Sequence, residues 1–128
     1  MSIRIVRLGT GRAPDEGLRL GTVRRPPRGV PKTGFATGNW YDVWFPNLAP
    51  SPETMKFARN AVTVADWERF ARRFRAEMKA PMASRDLDLL AALSQVTNFS
   101  LGCYCEREER CHRSILRELL RARGAVVA

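Results

Sequence analysis

Apolar and polar positions alternate at the start of the chain, where Ile3 and Ile5 flank Arg4 and the run continues through Val6 to Leu8. Period-two spacing of this kind predicts a strand over residues 2–8 with one face buried. Gly9-Thr10-Gly11-Arg12-Ala13-Pro14 ends it, and Leu18 to Val23 reads as a second, shorter strand. Arg24-Arg25-Pro26-Pro27-Arg28-Gly29 must be a loop, because consecutive prolines remove backbone donors and fix φ. Trp40 to Phe45 is aromatic and β-branched enough for a strand or a packed connection.

From Ser51 the period changes to that of a helix. Ser51-Pro52-Glu53 supplies an N-cap, a proline at the first helical position and an early acid, which predicts a short helix through Arg59. Thr63 and Asp66 make a capping-box-like start to a longer helix. Its Trp67, Phe70, Ala71, Phe74 and Met78 share one face, and Glu68, Arg69, Arg72, Arg73 and Glu77 point outward. Ser84 is the expected cap of a third helix carrying Leu87, Leu90, Ala91 and Leu93. Phe99 to Cys105 reads as a strand, and Cys111 to Arg123 as a final helix with Ile115, Leu116, Leu119 and Leu120 inward and Gly124 as its stop. Together these elements predict an α/β fold: a single compact domain over residues 1–128, with a central, mostly parallel sheet flanked by helices in Rossmann-like layering.

Composition narrows the class. A chain of 128 residues that is 45% hydrophobic can bury one core, which excludes a disordered tail protein. No run approaches the roughly 18 uncharged apolar residues that span a bilayer, and Met1-Ser2-Ile3-Arg4-Ile5 lacks a signal-peptide hydrophobic region. The expectation is a cytoplasmic protein with no membrane partner. The formal net charge is +9, and residues 1–35, with eight cations and two anions, carry +6 of it. Such a balance favours an anionic small molecule or nucleic acid as partner, through steering and counterion release, although arginine-rich surfaces also serve plain solubility.

The cysteines mark where chemistry would sit. Cys103, Cys105 and Cys111 are odd in number and clustered, so in a reducing compartment they are free thiols or metal ligands rather than a disulfide framework. Open α/β sheets bind ligands beyond the carboxyl ends of their strands and against helix N-termini. Cys105 falls at such a strand end, and Cys111, His112, Arg113 and Ser114 fall in the first turn of the helix that follows. Three uses are open. Cys111 or Cys105 can act as a nucleophile, with His112 shuttling a proton, Arg113 holding an anionic group and Ser114 binding a phosphate oxygen or capping the helix. Alternatively, Cys103, Cys105, Cys111 and His112 are four ligands of the types zinc takes. Against zinc stand the absence of a C-x2-C knuckle and the divergence, by about 100 degrees, of adjacent helical residues such as Cys111 and His112. Finally, buried cysteines can simply act as small hydrophobes. No organic cofactor is expected. Cys111 and Arg117 have C-x5-R spacing, but the helical, glycine-free stretch between them cannot cradle phosphate, and Gly9-x-Gly11 runs on to Pro14 where a dinucleotide fingerprint needs glycine.

The stretch Cys103-Tyr104-Cys105 through Cys111-His112-Arg113-Ser114-Ile115-Leu116, with Glu118-Leu119-Leu120 and Gly124, resembles the Cys-His-Arg signature that closes the uncharacterised domain-of-unknown-function family 488. Arg24, Pro27-Arg28-Gly29 and Lys32 look like the arginine-rich loop of that family's YeaO-like branch, and Trp40, Pro50-Ser51 and Trp67-x-x-Phe70 are similar to its later landmarks in the same order. The resemblance covers almost the whole chain. It implies an α/β domain with a largely parallel sheet, and an arginine loop and Cys-His-Arg turn that line one cleft. It implies no reaction. Where YeaO-like relatives usually carry an acid before the first loop arginine and a tryptophan before Pro-Arg-Gly, this chain has Val23 and Pro26, which leaves any role of that acid unfilled. The functional expectation is binding of a nucleotide or nucleic-acid phosphate by Arg24, Arg28, Tyr104, Arg113 and Ser114. The alternatives are a cysteine-dependent enzyme using Cys105 or Cys111 with His112, and a structural zinc-binding or protein-interaction module.

Overall fold

A computed structural model describes residues 1–128. Four strands, β1 (Ile3–Arg7), β2 (Leu18–Gly21), β3 (Val43–Trp44) and β4 (Phe99–Cys103), form one all-parallel sheet in the order β1-β4-β2-β3. There are four helices, α1 (Pro52–Arg59), α2 (Val64–Glu77), α3 (Pro81–Leu93) and α4 (His112–Ala122), and the first two carry the caps that the sequence predicts. Ser51 accepts from the Thr54 N–H, and Thr63 and Asp66 bond each other's backbone in a full capping box. Gly124, at φ 82°, stops α4 in a left-handed conformation that a side chain would strain. No helix is long and apolar enough to cross a membrane.

Several local expectations shift. Helix α3 begins before Ser84, because Pro81 takes the first helical position behind Ala80, and Ser84 sits one turn in, accepting from Arg123. Glu77 is half-buried rather than outward, because its carboxylate accepts from the Ser51 N–H and hydroxyl and from Thr54, tying α2 to the head of α1. The 40–45 segment pairs only at Val43–Trp44, with Tyr41 turned inside. Strand β4 ends at Cys103, so Cys105 lies beyond it.

The main core lies on the sheet face that carries Ile3, Leu20, Phe99 and Leu101. There Phe70, Phe74 and Met78 of the α2 region meet Leu87 and Leu90 of α3 and Ile115, Leu116 and Leu120 of α4. Alternate strand positions face the other way, and among them Arg4, Arg19 and Ser100 are polar. Arg19, fully buried, donates to Glu16 at 2.7 Å and to the carbonyls of Thr10, Gly11 and Asn39, and Ser100 donates to the same carboxylate at 2.6 Å. Burial pushes the Glu16 carboxyl up, but the hydrogen bonds from Arg19, Ser100 and the Ala13 N–H outweigh it and hold the group at about 2. The basic N-terminal segment is therefore less free than its charge count implies, since Arg4 pairs with Asp15 and Arg12 with Asp42 as well.

Candidate functional site

Parallel strands bring their carboxyl ends to one edge, so the segments leaving β1, β2 and β4 converge there with the N-terminus of α4. Two adjacent glycines shape this edge. Gly21 and Gly102 are paired across β2 and β4, and a Cβ on either would meet the Tyr41 ring or Leu8 at 2.4 Å. Their bare backbones let Leu8 and Tyr41 lie close over the strands and form a second apolar cluster with Val23, Cys103 and Cys111. Val23 is thus part of a buried wall. The Tyr41 hydroxyl is the one buried side-chain polar atom without a hydrogen-bond partner.

Cys111 does not begin the helix. A short 3-10 turn, Glu108–Arg110, delivers it as the N-cap with extended backbone, φ −132° and ψ 152°, and His112 is the first helical residue. The 100-degree divergence expected of two helical neighbours therefore does not apply. The Cys111 Sγ lies 3.6 Å from His112 Nδ1, and Cys103, Cys111 and His112 bring their ligand atoms within 4.8 Å of one another. All three residues are buried. Cys105 is exposed, with its Sγ 3.8 Å from that of Cys103. The ligand atoms of Cys103, Cys111 and His112 are close enough to hold one metal ion.

The surroundings orient them. His112 Nε2 is 2.8 Å from the Thr22 carbonyl oxygen, an acceptor that requires the proton on that nitrogen and leaves Nδ1 facing the thiols. Phe74 packs edge-on against the ring. Arg113 is buried, donating to the Cys105 carbonyl at 2.7 Å and to Cys111 Sγ at 3.4 Å. Hydrogen bonds from the Cys103 and Cys111 thiols hold the Cys105 thiol well below its ordinary range, against the cost of burial and with help from Arg113. The same contacts with Cys105 and Cys111 push Cys103 up, while Cys111 is lowered by Cys103 and by His112. The trio thus favours an anionic sulfur and distributes its protons unequally. Chemically, such a group can serve as a nucleophile or as a metal ligand set.

The other expected site residues are dispersed. Ser114 donates to the Cys111 carbonyl, closing the first turn. Arg24 donates to the carbonyls of Ala49 and Pro50. Tyr104 donates its hydroxyl to the Arg25 carbonyl at 2.8 Å, and this bond partitions the edge. On one side is a pocket of about 250 Å³ whose lining includes Thr22, Arg24, Arg59, Cys103 and His112. On the other is an open cleft of about 710 Å³ bordered by Arg7, Thr10, Arg25, Arg28, Trp40 and Tyr104. Arg24 and Arg25 of the arginine loop thus share the smaller pocket with Cys103 and His112 of the Cys-His-Arg turn, whereas Arg28 borders the larger cleft, which adjoins that pocket at Arg25 and Tyr104. The sequence reading missed Arg7, Thr10 and Thr22, although each follows or ends a strand at the sheet's carboxyl edge, the one signal that marks them.

A family model described as DUF488-N3a, active DUF488-N3 subclade, matches residues 3–124. Neither the curated proteins nor the solved structures contain a match.

Proposed function

The chain belongs to the DUF488-N3a family, and from that premise we propose that it binds a nucleotide or a nucleic-acid strand, by phosphate and base together, in the cleft between Arg7, Arg28 and Tyr104. The observation that carries this reading is a set of cations with no anion of their own. Arg7, Arg25 and Arg28 take part in no ion pair, whereas Arg4, Arg12 and Arg19 of the same segment do. Guanidinium groups in that state suit the bidentate geometry of phosphate. Trp40 and Tyr104, with ring centroids 6.1 Å apart in an edge arrangement, supply aromatic surface in the same cleft for a stacked base. Arg113 acts in this reading as a support, since it is buried and donates to the Cys105 carbonyl and Cys111 Sγ.

Titration of a fluorescent single-stranded oligonucleotide and of a nucleoside triphosphate across a salt series tests the proposal. Each of Arg25→Ala and Arg28→Ala is expected to lower oligonucleotide affinity about tenfold and to reduce the slope of log affinity against log salt by about one. Absence of binding to both probes, or unchanged affinity in both variants, sinks it.

A further inference from the structure

We infer that Cys103, Cys105, Cys111 and His112 form a closed tetrahedral zinc site, in which His112 ligates through Nδ1. The separations between the donor atoms carry the inference. A tetrahedral zinc with Zn–S of about 2.3 Å and Zn–N of about 2.0–2.1 Å requires sulfur–sulfur edges of about 3.8 Å and sulfur–nitrogen edges of about 3.6 Å. The Cys103–Cys105 sulfurs are 3.8 Å apart, and Cys111 Sγ and His112 Nδ1 are 3.6 Å apart. Cys103, Cys111 and His112 already face one another within 4.8 Å, and Cys105, exposed beyond the end of β4, lies outside that group but 3.8 Å from the Cys103 sulfur, from where a small movement inward from the solvent side would close the fourth corner.

The second shell has the form that metal sites use. The Thr22 carbonyl takes the proton of His112 Nε2, and Thr22 Oγ1, itself donating to the Gly102 carbonyl, lies 3.2 Å from the same nitrogen. This fixes the ring so that Nδ1 has no backbone partner and points at sulfur. Three thiolates around Zn2+ leave one negative charge, and Arg113, donating to Cys111 Sγ and to the Cys105 carbonyl, supplies one positive charge beside it. Loading one Zn2+ releases whatever protons the three sulfurs still hold, so no other reactant is needed. Cys111 can take part because its N-cap backbone is extended, which frees it from the helical spacing that would send Cys111 and His112 apart.

The test uses the full chain, stripped with chelator under reducing conditions and titrated with zinc alone, then with cobalt(II) as a spectroscopic probe. Native mass spectrometry is expected to show one zinc per chain, with alkylation of Cys105 suppressed in the loaded form. Cobalt(II) is expected to give tetrahedral bands and thiolate charge transfer that loses about a third of its intensity in Cys105→Ser, since one of three thiolates is gone. His112→Cys is expected to keep the metal and to gain charge-transfer intensity, which a histidine that merely packs in the core would not produce. Folded protein that takes up no zinc, with all three cysteines alkylated at the same rate with and without the metal, overturns the proposal. Charge transfer unchanged in Cys105→Ser overturns the four-ligand assignment.

Discussion

The two cavities at the carboxyl edge of the sheet share Arg25 and Tyr104, yet they treat their polar groups in opposite ways. In the thiol pocket nearly every donor is answered from within: His112 by Thr22, and Arg113 by Cys105 and Cys111. In the arginine cleft Arg25 and Arg28 are exposed and unpaired, and Trp40 offers a half-buried face. A site whose members satisfy one another is built before anything arrives, and its ligand must be small enough to sit among them. Partnerless cations around an open cleft instead gain their partners from outside, so their contribution appears on binding rather than on folding. Arginine count alone does not separate the two. Arg19 and Arg28 add equally to the net charge, but one is sealed against Glu16 and the other faces solvent.

The largest effect that would sharpen this contrast is expected from the sealed arginine. Glu16→Gln leaves the Arg19 charge buried without its counter-ion, and loss of one member of a buried pair costs about 3–5 kcal/mol. Denaturant unfolding should show that loss, while oligonucleotide binding by the remaining folded protein stays as in the parent. Acid titration gives a second reading of the same pair. The folded carboxyl sits at about 2 against an ordinary 4.5, so its stabilisation is complete above pH 4.5 and is lost as pH falls toward 2. The variant should lose that part of the acid dependence, and an acid limb identical to the parent's would assign it to other carboxylates.

Trp40→Ala comes next and acts on the open side. If bases stack in the cleft, removal of the indole is expected to weaken oligonucleotide binding by about 1–3 kcal/mol. Inorganic phosphate or pyrophosphate, which have no base, should bind the variant as before. An equal loss for both would mean that Trp40 shapes the cleft rather than contacting a base, for instance by holding Gly9, whose Cβ position it crowds at 2.9 Å.

How much of this was legible in the sequence follows from how local each signal is. Ser51, Thr63 and Asp66 announced two helix starts, because caps are satisfied within one turn, and Phe70, Phe74 and Met78 announced the core face by spacing alone. The start of α3 was misplaced, since Pro81 competes with Ser84 and a proline at the first position dominates. The thiols and His112 were recognisable as a group from proximity in the chain. Their geometry was not, because it depends on a 3-10 turn that leaves Cys111 extended and on Thr22, 90 residues away from His112. The split between sealed and free arginines was equally hidden. Arg12 finds Asp42 and Arg7 finds the Tyr104 carbonyl only after the strands align.

Tyr104→Phe removes the hydrogen bond that divides the two cavities, at an expected cost of about 0.5–1.5 kcal/mol in unfolding. Its more informative consequence is communication. With the partition loosened, zinc loading of the thiol pocket should alter oligonucleotide affinity in the variant more than in the parent, and titrations with and without zinc measure the difference. Equal responses would show that the cavities are independent despite their shared wall.

The smallest expected effect is that of Arg4→Ala, and it decides whether the cleft or the overall charge attracts a polyanion. Arg4 pairs with Asp15 at the surface, with both side chains well exposed, so its removal should change stability by about 0.5 kcal/mol or less. Like Arg28→Ala, it takes the formal net charge from +9 to +8, because each variant removes one cation. If binding is organised by the cleft, Arg28→Ala lowers oligonucleotide affinity about tenfold while Arg4→Ala stays within about twofold at the same salt. If the two variants fall together, the polyanion is responding to the field of the whole protein, and the distinction between sealed and open arginines has no bearing on binding.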